Sequence, residues 1–454
     1  MKRKRIDIIT LGCSKNLVDS EQLMRQLEEA GYSVTHDTEN PEGEIAVINT
    51  CGFIDSAKEE AIDHILAMGA LKQEGRVGKI LVTGCLAQRY CSELAAEIPE
   101  IDAIAGLDRN GDIVATVEQA LRGQGVRAAG DSAGLPMEGR RSLSTPGHFA
   151  YIKIAEGCDR HCTYCAIPAI RGRYRSRRPE AVLAEARELA QSGVKELILI
   201  AQDTTSYGED LPEPCDLAWL LYQLHDIEGF WRIRVLYGYP DKISDRLLTA
   251  FRELPRLCKY LDIPLQHACD PVLRRMGRIG TRADIERVLG ALRATAEPFA
   301  VRSTFIAGFP GETEAQCTEL CRFIRAQGFA RSGCFAFSPE EGTPAVRLRP
   351  RHGDAVKNRR AELVSRACYE AAVDFQLSRI GTVEEAICDG YDPDRRICLF
   401  RSDFDAPDID TLILVPVSQP IEAGAVRRVR ITALEEPDVR GELVENAADR
   451  VDND

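Results

Sequence analysis

The sequence predicts an α/β protein of three units: an amino-terminal parallel α/β domain, a central partial (β/α)6 barrel and a small carboxy-terminal β-barrel. At 454 residues the chain has room for about three domains of ordinary size. Up to residue 377 short apolar runs alternate with helical stretches, the pattern of parallel strands covered by helices. From residue 381 onward short apolar runs are broken by Gly, Pro and Asp instead, which favours a small closed sheet.

Residues 1–122 form the first domain, with strands expected at Ile6–Thr10, Ile45–Asn49 and Ile80–Thr83 and helices at Ser20–Ala30 and Ser56–Gln73. Asp19, Ser20 and Glu21 read as a helix start and Gly31 as its stop. Each strand runs directly into a cysteine: Cys13 in LGC, Cys51 in NTC and Cys85 in TGC. The carboxyl ends of parallel strands share one edge, so three thiols far apart in sequence are expected to converge there. Core packing of small thiols is the competing reading. Cys91, on the helix after Cys85, is expected to point away from that edge.

Residues 123–147, rich in Gly, Ser and Pro, read as a linker. The barrel then spans 148–377. Its strands are expected at Ala150–Ile154, Glu196–Ile200, Arg232–Leu236, Tyr260–Ile263, Val301–Ile306 and Cys334–Phe337. Helices are expected at Pro179–Ser192, Asp241–Glu253, Arg282–Thr295 and Glu314–Gln327. Chemistry on such a barrel gathers at the carboxyl ends of the strands. The polar residues there are Gln202 with Asp203, Gln266 with His267, Gly308 to Glu312 in GFPGET, and Glu340 with Glu341. The third unit, 381–445, carries β segments at Val383–Cys388, Ile397–Phe400, Thr411–Pro416 and Ala425–Thr432, and 446–454 reads as a frayed acidic tail.

Cys158, Cys162 and Cys165 stand in the run EGCDRHCTYCAIPAIRG from Glu156 to Gly172. They supply three thiolates and no fourth, which leaves one iron of a 4Fe-4S cluster open to a ligand that is not protein. A partial zinc knuckle is the competing reading. The C-x3-C-x2-C spacing with Tyr164 before the last cysteine resembles the radical S-adenosylmethionine (SAM) superfamily. The resemblance implies a partial TIM-like barrel, a 4Fe-4S cluster on Cys158, Cys162 and Cys165, and SAM cleaved to a radical. SAM contacts are expected at Gln202, Gln266, Gly308 and Glu312 from their strand-end positions; backbone satisfaction and turn geometry are the alternatives there. No catalytic side chain is assigned beyond the cluster ligands.

A three-cysteine first domain, a radical SAM barrel and a TRAM-like third barrel together resemble the radical SAM methylthiotransferase family. The stretches NTCGFIDSAKEE, GCLAQRY, YCAIPAIRGRYRSR, LIAQDTTSYG and YLDIPLQH resemble its RimO-like branch. That resemblance implies two 4Fe-4S clusters, the auxiliary one on Cys13, Cys51 and Cys85, and SAM as both methyl donor and radical source. It implies a methylthio group added to the β-carbon of an aspartate in the twelfth small-subunit ribosomal protein. Partners implied are that basic protein, an electron donor such as a flavodoxin or ferredoxin, and a sulfur source. Ser14, where proline is frequent, and the PDVRGEL ending depart from the common pattern.

Charge bears on the partner. The net charge of -13 is concentrated after residue 381, where acidic residues far outnumber arginines and lysine is absent. Such a segment is expected to draw a basic protein and to keep RNA binding from dominating. A plain solvated acidic surface is the competing reading. Methylthiolation of tRNA adenosine and a non-catalytic zinc-bearing ribosome or RNA binder are the alternative functions. The start MKRKRIDIITLGC imitates a lipoprotein signal, but Asp7 interrupts it. No apolar run nears the roughly 20 residues of a membrane helix. A cytoplasmic chain without membrane attachment is therefore expected, its sixteen cysteines not a disulfide framework. Arg171, Arg173, Arg175, Arg177 and Arg178 are read as carboxylate or phosphate ligands or as solvated side chains, the latter for most. Cys317 and Cys321, one helical turn apart among apolar neighbours, are read as packing.

Overall fold

The computed structural model describes residues 4–135, 137–296 and 298–444; the expected acidic tail lies outside them. Six parallel strands build the first sheet: β1 (Arg5–Thr10), β2 (Ser33–His36), β3 (Ile45–Thr50), β4 (Ile80–Gly84), β5 (Ala103–Ala105) and β6 (Arg127–Ala128), in the order β2-β1-β3-β4-β5-β6. Around them lie α1 (Ser14–Glu29), α2 (Asp55–Gln73), α3 (Cys85–Arg89), α4 (Cys91–Glu97) and α5 (Ile113–Leu121). Alternate residues of each strand pack on opposite faces: Ile48 and Val82 join Ile65 of α2, while Ile8, Val47 and Leu81 join Leu23 of α1 and Val117 of α5. A sheet covered on both faces reads as continuous apolar runs, which is why β1, β3 and β4 were legible. The strand order reverses between β1 and β3, and a ligand crevice opens beyond the strand ends at such a switch point.

Two expectations change here. Strand β6 lies inside the stretch read as linker, so that stretch completes the first sheet before crossing to the barrel. Helix α1 starts at Ser14 with Cys13 as its N-cap, not at Asp19 or Ser20. Both of those residues are fully buried: Ser20 hydrogen bonds Thr10 and Asn49, and Asp19 pairs with barrel cations, so neither serves as a cap.

The barrel begins with β7 (Phe149–Lys153), followed by the antiparallel pair β8 (Ala155–Glu156) and β9 (Arg175–Ser176), which frames α6 (Ile167–Arg171). Then come α7 (Pro179–Gln191), β10 (Glu196–Ile200), α8 (Leu217–His225), β11 (Arg232–Val235), α9 (Asp245–Glu253), β12 (Leu257–Asp262), α10 (Asp270–Arg275), α11 (Arg282–Arg293), β13 (Ala300–Ala307), α12 (Glu314–Gln327), β14 (Arg331–Ala336) and α13 (Asp354–Arg379). The six parallel strands form an open arc, β14-β13-β12-β11-β10-β7. Its outer face packs on the helices through Leu197, Leu199, Val235, Leu261 and Phe305. On its inner face Tyr151, Ile198, Ile200 and Tyr260 meet Val18 of α1 and Ala406 of the third unit. The arc is thus filled by side chains from both flanking domains.

The third unit is a closed barrel of β15 (Val383–Asp392), β16 (Ile397–Arg401), β17 (Ile413–Pro416), β18 (Val426–Glu435) and β19 (Asp438–Leu443). Strand β19 was not expected. Much of the unit's acidity is neutralised internally: Asp405 pairs with Arg331 at 2.7 Å and Arg379 at 2.9 Å, Asp403 with Arg232, and Asp410 with Arg302 at 3.3 Å. Meanwhile Arg427, Arg428 and Arg430 of β18 are exposed. The acidic composition therefore reports a domain interface as much as an outer surface, which weakens the inference from charge to a basic partner. Among the described residues no helix is long and apolar enough to cross a membrane.

Candidate functional site

Cys13, Cys51 and Cys85 stand at the carboxyl ends of β1, β3 and β4, around the switch point. Gly12 adopts φ +96°, and a Cβ there would fall 2.6 Å from Cys51 Cβ, so the first two loops touch through a position only glycine fills. Burial, with the neighbouring Cys13 and Cys85 thiols, pushes Cys51 up to about 12. Burial likewise raises Cys85, against the opposing Arg171 guanidinium. Cys91 packs against the apolar core that holds Leu94, and its charged neighbours are Glu93, Arg127 and Asp108.

Cys158, Cys162 and Cys165 lie on the loop between β8 and α6. Gly157 adopts φ +77°, and a Cβ there would stand 2.1 Å from the Arg173 carbonyl oxygen, so the loop's two ends close on each other. The Cys158 N–H donates to Gly172 O at 3.1 Å and the Thr163 N–H to Met276 O at 2.8 Å, which ties the loop to the end of α10. Burial pushes Cys158 up to about 11 and Cys165 up to about 12. Thiols so placed lose their protons only beside a cation, which a thiolate-bound metal cluster supplies. Tyr164 meets Phe309 of the GFPGET turn edge-on at 6.5 Å. The Arg278 guanidinium stands 4.4 Å from the Tyr239 ring centroid and 3.9 Å from Cys162 Sγ.

The donor chemistry fits iron-sulfur clusters. Each group offers three soft thiols, which select iron-sulfur, zinc or Cu(I). Among the described residues no three His, Cys, Asp or Glu side chains are grouped as a single ion would gather them. A zinc ion at about 2.3 Å from each sulfur would draw its thiolates close together. Ligands of a cluster that holds several irons between them stand farther apart than those of a single ion.

Between the groups lies a buried polar network. Arg171 donates from Nε to Cys85 Sγ at 3.3 Å, from one terminal nitrogen to both Glu156 oxygens at 3.1 Å, and from the other to Asn16 Oδ1 at 2.6 Å and Asp19 Oδ2 at 3.0 Å. Lys153 bridges Asp19 and Glu156, the latter at 2.7 Å. Burial would raise the Glu156 carboxyl, but Arg171 and Lys153 outweigh it and hold it well below the usual carboxylate range. Arg171, read from sequence either as a carboxylate or phosphate ligand or as a solvated side chain, is a buried carboxylate ligand, and its burial depends on Asn16, Asp19 and Cys85, far away in sequence. Arg173 is exposed, Arg175 reaches the Ser132 and Ala133 carbonyls, and Arg177 pairs with Glu138 and Glu185, both at 2.6 Å.

The four expected SAM contacts separate. Gln202 faces the network: its Nε2 donates to Glu156 at 2.7 Å and its buried Oε1 has no partner among the described residues. Gln266, at φ +71°, pairs through its backbone with Phe305. Glu312 is buried, accepting from the Gly308 N–H at 2.9 Å and from Arg360 at 3.2 Å, so Gly308 and Glu312 fasten the turn to α13. Of the other strand-end residues, Asp203 holds Arg160 at 2.9 Å, and His267 Nε2 lies 3.7 Å from Glu312. Glu340 clamps Lys58 at 3.0 Å and Arg89 at 2.8 Å from the first domain. Cys317 and Cys321 are buried in the apolar core of the barrel.

Three family descriptions match the chain in succession. Residues 5–106 match the uncharacterized protein family UPF0004, 152–324 the radical SAM superfamily and 380–444 the TRAM domain. A protein of Bacteroides thetaiotaomicron named ribosomal protein uS12 methylthiotransferase RimO is 43% identical over 449 residues, 98% of this chain and 99% of that one. Its namesake from Thermoanaerobacter is 42% identical over 441 residues, 97% of this chain and 100% of the other. Among solved structures, the radical SAM methyltransferase TsrM of Kitasatospora setae aligns with TM-score 0.55 at 14% identity, covering 74% of each chain. The cobalamin-dependent SAM radical enzyme OxsB aligns with TM-score 0.52 at 13% identity, covering 80% of this chain and 56% of that one. At such identities the two structures share the fold alone.

Proposed function

The chain belongs to the RimO family of ribosomal protein uS12 methylthiotransferases, and we propose that its two cysteine trios hold two 4Fe-4S clusters on either side of one substrate position. It is a SAM-dependent radical enzyme with a 4Fe-4S cluster. In our reading Cys158, Cys162 and Cys165 bind the radical-generating cluster, and Cys13, Cys51 and Cys85 an auxiliary cluster that carries sulfur. The observation that carries this reading is Arg171, whose one guanidinium reaches Cys85 of the first trio and Glu156, two residues before Cys158 of the second.

Bound together, cluster and SAM supply a carbon-centred radical able to take hydrogen from an unactivated carbon, while a second SAM supplies the methyl group. The chain's own residues position and shield. Gly157 lets the cysteine loop close on itself, and Tyr164 with Phe309 walls one side against water. Arg171 donates to the Cys85 sulfur and thereby favours its ionised form. Glu156, kept charged by Arg171 and Lys153, orients Gln202, the one expected SAM contact that retains an unpartnered acceptor. The substrate is uS12, modified in this reading at the β-carbon of an aspartate; a flavodoxin or ferredoxin in the cytoplasm supplies electrons.

The test incubates anaerobically reconstituted enzyme with SAM, reductant, sulfide and purified uS12. Mass spectrometry should find a methylthio group on one aspartate. Modification of tRNA with uS12 left untouched would refute the reading.

A further inference from the structure

We propose that Lys15 receives the carboxylate of the target aspartate and so determines which residue of uS12 is modified; this rests on the function proposed above. Of the buried lysine and arginine side chains among the described residues, all but Lys15 and Arg278 form an ion pair with a carboxylate. Arg278 lies against Cys162 in the loop site, with Pro264 O as its acceptor at 2.6 Å. Lys15 is 7% exposed and lies two residues beyond Cys13 on α1, the helix that also sends Asn16 and Asp19 to Arg171.

Its ammonium sits 2.9 Å from the centroid of the Tyr237 ring. Tyr237 follows β11 at the carboxyl edge of the barrel, has φ +63°, and accepts the Thr204 N–H at 3.0 Å. Lys15 therefore spans from the strand-end cysteines to the barrel edge. Asp262 senses its charge but is itself engaged with Arg302 at 3.4 Å. Two further buried polar atoms without partners among the described residues lie nearby in the fold: Ser14 Oγ, on the residue before Lys15, and Gln202 Oε1, just past the end of the strand beside β11.

A buried ammonium that rests on an aromatic face, with no ion pair or hydrogen bond of its own among the described residues, is poorly compensated. A carboxylate arriving from outside completes it, and an aspartate is the anion the reaction brings. The β-carbon is one bond from that carboxylate, so holding the carboxylate fixes the carbon from which hydrogen is taken. An asparagine or a neutral base offers no such charge.

The test measures binding of uS12, and of uS12 with asparagine at the modified position, to reconstituted wild-type enzyme, Lys15→Gln and Lys15→Arg, with iron and sulfide content as the fold control. Wild type should bind the aspartate form about tenfold more tightly, Lys15→Gln should bind both at the weaker level, and Lys15→Arg should keep the preference. A Lys15→Gln protein with full iron and the wild-type preference would overturn the inference. So would a wild-type enzyme that modifies uS12 yet shows no preference, a comparison that needs no variant to fold; that result leaves the proposed function standing. Failure of wild type to bind or modify uS12 at all would overturn the function and the inference with it.

Discussion

Cys158, Cys162 and Cys165 share one short loop, whereas Cys13, Cys51 and Cys85 arrive on three separate strand ends. The loop site depends on local backbone: Gly157 at φ +77° and the β8–β9 pair hold its ends together. The strand-end site depends on register, since Asn49 pairs with Thr10 on one side and Thr83 on the other, which levels the three strand ends. One site is encoded in a motif, the other in a topology, and Arg171 joins them. Perturbations should respect that division.

Arg171→Met should have the largest effect, because it removes the guanidinium that reaches Cys85 of one site and Glu156 beside the other, and leaves Asp19 and Glu156 short of a cation. Breaking a buried pair costs about 3–5 kcal/mol, to be read in denaturant unfolding together with iron content. Arg171→Lys should rescue little, because a point charge does not reproduce the forked contacts. Unchanged unfolding and iron content in the Met variant would remove Arg171 from the account.

Gly12→Ala and Gly157→Ala test the division directly. Each places a Cβ within 2.6 Å of another atom at positive φ, a strain of up to about 3 kcal/mol. The first should deplete iron from the strand-end site and the second from the loop site, as counted by iron analysis and resolved by electron paramagnetic resonance. Equal damage to both sites from either substitution would show that they form one structural unit.

The third domain serves as the control region. Burial would raise the Asp405 carboxyl, but Arg379 and Arg331 hold it at about 2, below its ordinary 3.8. A depressed carboxylate stabilises fully above its unfolded pKa. Its contribution, about 2 kcal/mol, should therefore be present above pH 4 and be lost as pH falls toward 2. Acid titration of apoprotein followed by limited proteolysis should release the third domain in that window, and Asp405→Asn should release it at neutral pH. The smallest effect is expected from Glu340→Gln, which keeps the shape of the clamp on Lys58 and Arg89 but removes its charge, at about 1–2 kcal/mol. Thermal unfolding should shift modestly while both iron sites stay loaded.

The buried strands β1, β3 and β4 and the cysteines that follow them could be read from sequence because both sheet faces demand apolar residues. Strand β2, with no buried residue, and the two-residue β6 carry no such signal. Strand β19 does alternate, with Val439 and Gly441 inward and Arg440 and Glu442 outward, but its charges and glycine masked the period. The early start of α1 was obscured because Asp19 and Ser20 imitate caps while serving buried contacts. That displacement hid the buried roles of Asn16 and Asp19, which bind Arg171, and of Lys15, which packs on Tyr237. Arg171 and Arg177 sit among arginines that look alike in sequence, and only the fold distinguishes these two buried side chains from exposed Arg173 and Arg178.

Iron and sulfide counting on two triple variants tests the central claim most directly. Wild type should carry about eight irons per chain for two 4Fe-4S clusters. The Cys13→Ala, Cys51→Ala, Cys85→Ala protein and the Cys158→Ala, Cys162→Ala, Cys165→Ala protein should each retain about four. Zinc without labile sulfide, or loss of all iron from both triple variants while each remains folded, would contradict the account.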